Sequence, residues 1–257
     1  MKLLYTTNYR TELFVESFRA IAEGNDPYKD VRADLNKIVL RIVRRIYERC
    51  RSVEDWLRLM AGANIVDVST PWYNFSPNTL LTELERASSA ITVPREVVKL
   101  VEGARSIAIL LDNAGEAVID IAFAIYASQG GRRVYLVSRS EPYEVDVIAE
   151  EVDELVKAIA SEVSANHCVK VLGTGNSYPA PAMPHVNPEV VEVLERVDVV
   201  VSKGIANAEA IMEYESLDPR HVVIVLRAKC PPIAKVFGVS LGSPVIRVGY
   251  PTIIDVR

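Results

Sequence analysis

Residues 106–138 read SIAILLDNAGEAVIDIAFAIYASQGGRRVYLVS. Two apolar, largely β-branched runs, Ser106–Leu111 and Arg133–Val137, flank a segment, Ala114–Ser128, that reads as a helix. The runs are apolar throughout rather than alternating, which is the mark of parallel strands covered on both faces. A strand, a helix and a second strand of this kind make one parallel crossover unit. The same rhythm continues downstream. Further strands are expected at Cys168–Leu172, Val197–Ser202, Val222–Leu226 and, shortest, Val245–Val248. Helices fill the gaps at Asp146–Ser164, Pro188–Glu195 and Ala206–Glu213. The series predicts an α/β domain built on a doubly wound, mostly parallel sheet.

Upstream of Pro94 the pattern is helical. In Asp34–Cys50 the apolar residues Leu35, Ile38, Val39, Ile42, Val43 and Ile46 recur at helical spacing, with Arg41, Arg44, Arg45 and Arg49 mostly off that stripe. Ser76-Pro77 supplies an N-cap and a proline at the first helical position, opening a helix through Leu80, Leu81 and Leu84. The irregular stretch Asp67–Phe75, which carries Trp72 and Tyr73, lies before it and is a candidate lid. We therefore divide the chain into an all-helical N-terminal domain, 1–92, and an α/β domain, 93–257.

The 257 residues are 49% apolar, enough for a substantial core. An excess of 34 acidic over 29 basic residues leaves no basic footprint for nucleic acid. No apolar run approaches the roughly 18 residues of a membrane span, and the first residues lack a secretion signal. Three scattered cysteines (Cys50, Cys168, Cys230) are expected as buried thiols in a reducing compartment. No CxxC occurs, and His167, His185 and His221 have no mutual ligand spacing, which argues against a structural zinc site. A soluble, cytoplasmic protein is expected.

In an open parallel sheet, ligands bind beyond the carboxyl ends of the strands. The first exit carries Asp112-Asn113 with Glu116, and the second runs from Ser138 to Asp146. The third is Gly173-Thr174-Gly175-Asn176, the fourth holds Lys203-Gly204 with Asn207 and Glu209, and the fifth holds Arg227 and Lys229. Asp112, Asn113 or Asp146 could each be a helix cap. The sharper reading joins two carboxylates and one amide around a hard divalent cation. Lys203 and Lys229 would then balance a phosphate dianion, helped by backbone N–H groups where KGIAN opens a helix. Other motifs fail. Gly173–Asn176 lacks the third glycine of a dinucleotide fingerprint, and neither a P-loop nor GxSxG occurs. Position 114 is Ala, which removes the second aspartate that a phosphoaspartate enzyme requires. Water activated by a metal is thus a better nucleophile than Asp112.

DNAGE at 112–116, KGIAN-x-E at 203–209 and AKC at 228–230 resemble the damage-control phosphatases, once called domain of unknown function 89. EGNDPY at 23–28 and AGANIVD at 61–67 are similar to the family's GN-x-PY and AGN-x-ID stretches, so the likeness runs along essentially the whole chain. It implies a helical bundle beside a Rossmann-like α/β/α domain, and a phosphatase dependent on manganese, cobalt, nickel or magnesium. The implied substrates are sugar phosphates or damaged phosphometabolites. The resemblance makes Asp112, Asn113 and Asp146 metal ligands. It has Lys203, Asn207 and Lys229 contact phosphate beside Gly204, with Asn64 reaching in from the helical part. Asp146 or Glu116 is the candidate general base. Three departures stand out: TTNYR at 6–10 replaces a CxxC, Val145 replaces an Asn, and GTGNSYPAPAMP replaces a Ser-Gly-x-Asp loop. Two other classes compete with the phosphatase: a non-catalytic module binding metal or phosphometabolite, and, less favoured, a Rossmann-like methyltransferase, which needs a glycine-rich loop where this chain has DNAGE.

Overall fold

A computed structural model describes residues 8–65, 77–214 and 216–251. Five helices come first: α1 (Asn8–Ala22), α2 (Lys29–Arg49), α3 (Val53–Ile65), α4 (Pro77–Ser89) and α5 (Arg95–Gly103). Alternation follows, through β1 (Ser106–Leu110), α6 (Glu116–Ser128), β2 (Arg133–Ser138), α7 (Ala149–Glu162) and β3 (Val169–Gly173). The chain continues with α8 (Pro188–Arg196), β4 (Val199–Lys203), α9 (Gly204–Glu213), β5 (Val222–Arg227), α10 (Pro231–Phe237) and β6 (Pro244–Val248). The expected lid residues Trp72 and Tyr73, and the cap Ser76, lie outside the described residues.

The six strands lie in the order β3-β2-β1-β4-β5-β6, all parallel except the edge strand β6, which runs antiparallel to β5. The chain winds outward from β1 through β2 to β3, then returns to place β4 on the other side of β1. Leu110 therefore pairs with Val137 on one flank and Ser202 on the other. This reversal opens a crevice at the carboxyl ends of β1 and β4.

Alternate strand residues face opposite layers. Ile107, Ile109, Val199 and Val201 join one buried cluster with residues of α2 to α7, while Ala108, Leu110, Val200 and Ile224 join a second with α1, α8, α9 and α10. Val39, Ile42, Val43 and Ile46 of α2 are buried as their spacing predicts, each stabilising the fold by roughly 1.5–3 kcal/mol. They pack toward α6, which is buried almost all round because the sheet covers one side and the N-terminal helices the other. The first buried cluster therefore runs unbroken from the helical segment into the sheet.

Three local expectations need correction. Helix α7 begins at Ala149, so Asp146 neither starts nor caps it. Helix α6 begins at Glu116 with no side-chain cap, so Asp112 and Asn113 are not capping residues. Of the cysteines only Cys50 is buried; Cys168 is exposed and Cys230 half-buried. Cys168 stands immediately before β3, near the sheet's edge, where apolar sequence does not imply cover.

One buried ion cluster ties the helical segment to the α/β layer. The fully buried Arg32 guanidinium donates to Asp26 (2.8 Å), to Glu151 of α7 (3.0 Å) and to the Glu144 carbonyl (3.3 Å). Its bonds hold the Asp26 carboxyl below the usual carboxylate range. We predict that Arg32→Ala destabilises the protein by about 3 kcal/mol, since it strands two partly buried carboxylates. Urea unfolding checks this. The wild type should also lose stability as pH falls below about 4, with a shallower acid slope in the variant.

Candidate active site

The crevice collects the first, second, fourth and fifth strand exits. Beyond β1 the chain passes through Leu111, Asp112 and Asn113; beyond β2 it loops out through 139–148 and returns. The two exits are stitched by backbone bonds, Ala114 N–H to the Val145 carbonyl (2.8 Å) and Val147 N–H to the Asp112 carbonyl (3.2 Å). The resulting antiparallel bridge pairs Asn113 with Asp146. From the other side, β4 runs directly into α9, and Gly204 at the junction has φ +74°. A Cβ there would overlap the Asp112 carboxylate, so glycine is required both for backbone angle and for space.

A cavity of about 310 Å³ opens above these residues, bordered by Asn64, Asp112, Asn113, Asp146, Gly204 and Lys229. Helix α1 closes part of its rim with Thr11, Phe14 and Val15. Three of the expected site residues stand behind this wall instead. Glu116, Lys203 and Asn207 are buried and do not border the cavity. The Asn207 amide donates to the carbonyls of Leu111 (2.8 Å) and Lys203 (3.0 Å), tying the β1 and β4 exits together. The Lys203 ammonium lies between Asp120, at 2.8 Å from both carboxylate oxygens, and Glu116 at 3.2 Å. Sequence placed both lysines at strand exits, but Lys203 precedes the helix turn and points inward under α6, whereas Lys229 is exposed at the rim.

Electrostatics here are dominated by burial. Desolvation, reinforced by the nearby charges of Asp146 and Glu116, pushes the Asp112 carboxyl well above its ordinary range. Burial acts the same way on Glu116, but Lys203 and the Asn64 and Asn113 amides outweigh it and hold Glu116 low. Asp120 is pushed by burial up to about 7, against the pull of Lys203. Lys203 is raised despite its burial, because Asp120 and Glu116 stabilise its charge. At the second exit Arg139 donates to Asp146 at 2.5 Å and stacks 4.3 Å over the Tyr143 ring.

The donor set fits a hard cation on one specific ground. Glu116, held as a carboxylate, can only accept, so the Asn113 atom 2.9 Å from its Oε1 is the amide nitrogen. The same nitrogen lies 3.3 Å from Asp112 Oδ2. Asn113 is thereby left with its carbonyl oxygen to offer at the cavity wall, beside the carboxylates of Asp112 and Asp146. Among the described residues no group of three or more His, Cys, Asp or Glu side chains is set to hold a metal. The Asn113 amide oxygen would be the third donor of a set with Asp112 and Asp146, and oxygen-only sets suit magnesium or manganese.

Residues 6–245 match the model of the damage-control phosphatase ARMT1-like domain. The chain belongs to that family. A protein named damage-control phosphatase in Pyrococcus horikoshii is 24% identical over 90% of this chain and 77% of its own length. One of the same name in Archaeoglobus fulgidus is 26% identical over 87% and 76%. An uncharacterized Methanocaldococcus jannaschii protein is 24% identical over 89% and 75%. The crystal structure of the DUF89 family protein from P. horikoshii superposes with a TM-score of 0.75 at 21% identity, covering 94% of this chain and 89% of that one. The fold of this damage-control phosphatase family member is thus the family's fold.

Two site residues escape a motif reading. Arg139 follows β2 directly and was legible only as part of its exit. Asp120 left a signal: it lies four residues after Glu116, on the same helical face, as the lone acid within the apolar run AVIDIAFAI.

Two outcomes are expected. Gly204→Ala forces a left-handed non-glycine residue against Asp112 and costs about 2 kcal/mol in chemical unfolding. In chelator-treated protein, the native state holds the Asp120 proton up to about pH 7 while the unfolded chain releases it near 4. Stability should therefore fall as pH rises from 5 to 8, and Asp120→Asn should flatten that slope in thermal melts.

Proposed function

We propose that this protein is a divalent-metal-dependent phosphatase that hydrolyses small phosphomonoesters, sugar phosphates or damaged phosphometabolites, in the cytoplasm. The observation that carries the reading is the meeting of Asp112, Asn113 and Asp146 at one cavity with Lys229 and the first turn of α9. Membership of a phosphatase family supports the reaction class. Its three unpaired cysteines agree with a reducing compartment.

Asp112, Asn113 and Asp146 are the proposed metal ligands. The ion, manganese, magnesium, cobalt or nickel, would supply Lewis acidity to a phosphoryl oxygen and acidify the attacking water. The protein's own groups supply position and charge. Lys229 at the rim offers a point charge to the phosphate. The backbone N–H groups of Gly204, Ile205 and Ala206 open α9 beside the cavity and favour an anion there. Asn64 of α3 borders the cavity while its amide nitrogen is held by Glu116 behind the wall. Asp146 is our choice of base over Glu116, because Asp146 borders the cavity and Glu116 does not. Val15 and Phe14 of α1 give the cavity an apolar stretch of rim. A volume of about 310 Å³ suits a small metabolite rather than a macromolecule.

Phosphate release from a panel of sugar phosphates and p-nitrophenyl phosphate tests the reading. Chelator should abolish turnover, and one or more of the four metals should restore it. Asp112→Ala should stay inactive with every metal while melting near the wild-type temperature in chelator. No release from any compound with any metal would defeat the proposal and favour a binding module.

A further inference from the structure

Beneath the cavity floor lies a line of buried charge that no step above uses. Asp120 and Lys203 are fully buried, Glu116 nearly so, and neither Asp120 nor Lys203 borders the cavity. The surroundings are apolar, with Val118, Ile119, Ile121 and Phe123 on the same helix all buried. Burying such charges is costly, and an apolar trio of equal volume is often as stable or more so. Stability alone is therefore a poor reason for this arrangement.

The geometry gives another. Glu116 receives three partners: Lys203 on Oε2 at 3.2 Å, Asn64 on Oε2 at 3.0 Å and Oε1 at 3.3 Å, and Asn113 on Oε1 at 2.9 Å. The Lys203 ammonium is a compact charge on a flexible stem, with Asp120, Glu116 and Asp112 all near enough to act on it. Asp120 grips it through both oxygens at 2.8 Å. That grip leaves only a longer third contact to Glu116, whose oxygens stay available to the two amides. Were Lys203 released, Glu116 and Asp112 would be its remaining partners, and the amides would lose their acceptor or the site its ligand.

We infer that Asp120 is a positioning residue for the cation site: by anchoring Lys203 beneath Glu116, it lets Glu116 turn the Asn113 amide so that its carbonyl oxygen is presented beside Asp112 and Asp146. This rests on the metal reading proposed above. Asp120 touches neither cavity nor substrate; it acts through Lys203 and Glu116 in series.

The test is Mn²⁺ binding to the metal-stripped full chain by calorimetry, with no substrate present. Asp120→Asn should weaken Mn²⁺ roughly 10- to 100-fold, the usual effect of losing a residue behind the ligands. Asp120→Glu keeps the charge but shifts the carboxylate by one methylene, and should weaken Mn²⁺ as well; unchanged affinity in this variant would mean that only charge matters and would overturn the assignment. On a Lys203→Met background, adding Asp120→Asn should alter Mn²⁺ affinity less than about twofold, because the group it positions is gone. Equal losses with and without Lys203 would also overturn it. Thermal melts in chelator establish that each variant folds, and Asp120→Glu serves where Asp120→Asn does not. Failure of the wild type to bind Mn²⁺, or any of the other three metals, would sink the metal reading and this inference together. Wild-type binding unaltered in every Asp120 variant would sink this inference alone.

Discussion

The constraint on which the structure turns is the burial of carboxylates at the point where the sheet reverses direction. Asp112, Glu116, Asp120 and Asp146 all lie in the interior within reach of the β1 and β4 exits. Such a group is tolerable only if neutral, hydrogen-bonded or matched by positive charge. Each has a different solution. Asp146 takes Arg139, Glu116 takes two amides and Lys203, and Asp120 keeps Lys203 at the cost of a carboxyl pushed up to about 7. Asp112 has the weakest compensation: an amide contact at 3.3 Å and the more distant charges of Lys229 and Lys203. It is the carboxylate whose surroundings most favour an added cation.

The layers around the sheet serve this arrangement. Helix α6 must be nearly all apolar to sit between the sheet and the N-terminal helices, and this puts the faces bearing Glu116 and Asp120 inside. Helix α2 supplies more than apolar cover. Its Asn36 accepts the Gly115 N–H at 2.8 Å, completing the N-terminal end of α6 from another element, and α3 brings Asn64 to Glu116. The helical segment is thus part of the site's construction as well as its roof.

Much of this was legible before any coordinates. The apolar runs announced parallel strands because burial on both faces removes alternation, and the rule of strand exits selected the edge of the sheet at which the cavity opens. What sequence could not resolve was direction. Lys203 and Lys229 both follow parallel strands, yet one lies under α6 and the other at the rim. The difference arises from where the chain goes next: β4 turns at once into α9 through a left-handed glycine, while β5 runs on through Ala228 before Lys229. Likewise Asp146 looked like a helix start because Asp is common there. Only the pairing of its loop with Asn113, a contact set by long-range backbone bonds, makes it part of the site. Helix boundaries two or three residues off decided between a cap and a residue at the cavity wall.

The two proposed carboxylate ligands are held by different means, and the difference has consequences for the site's geometry. Asp112 is fixed locally, by its exit from β1 and by the absence of a side chain at Gly204. Asp146 sits on a loop with no helix or strand of its own; its backbone is held by the bridge to Asn113 and its carboxylate by an arginine of the same loop. Arg139 grips its carboxylate, while Arg32 of α2 donates to the Glu144 carbonyl, whose residue adopts a left-handed backbone (φ +46°) two positions before it. Arg32 in turn is oriented by Asp26, the acid of the GNDPY stretch, and by Glu151 of α7. That stretch, far from the cavity in sequence and absent from its walls, therefore acts on the site through a chain of charge-assisted bonds. The backbone bridge sets Asp146 beside Asn113, and the Arg32 bond to the Glu144 carbonyl adds a tie from the helical segment to the same loop, so the separation of the two proposed ligands is sensitive to how that segment packs against the sheet.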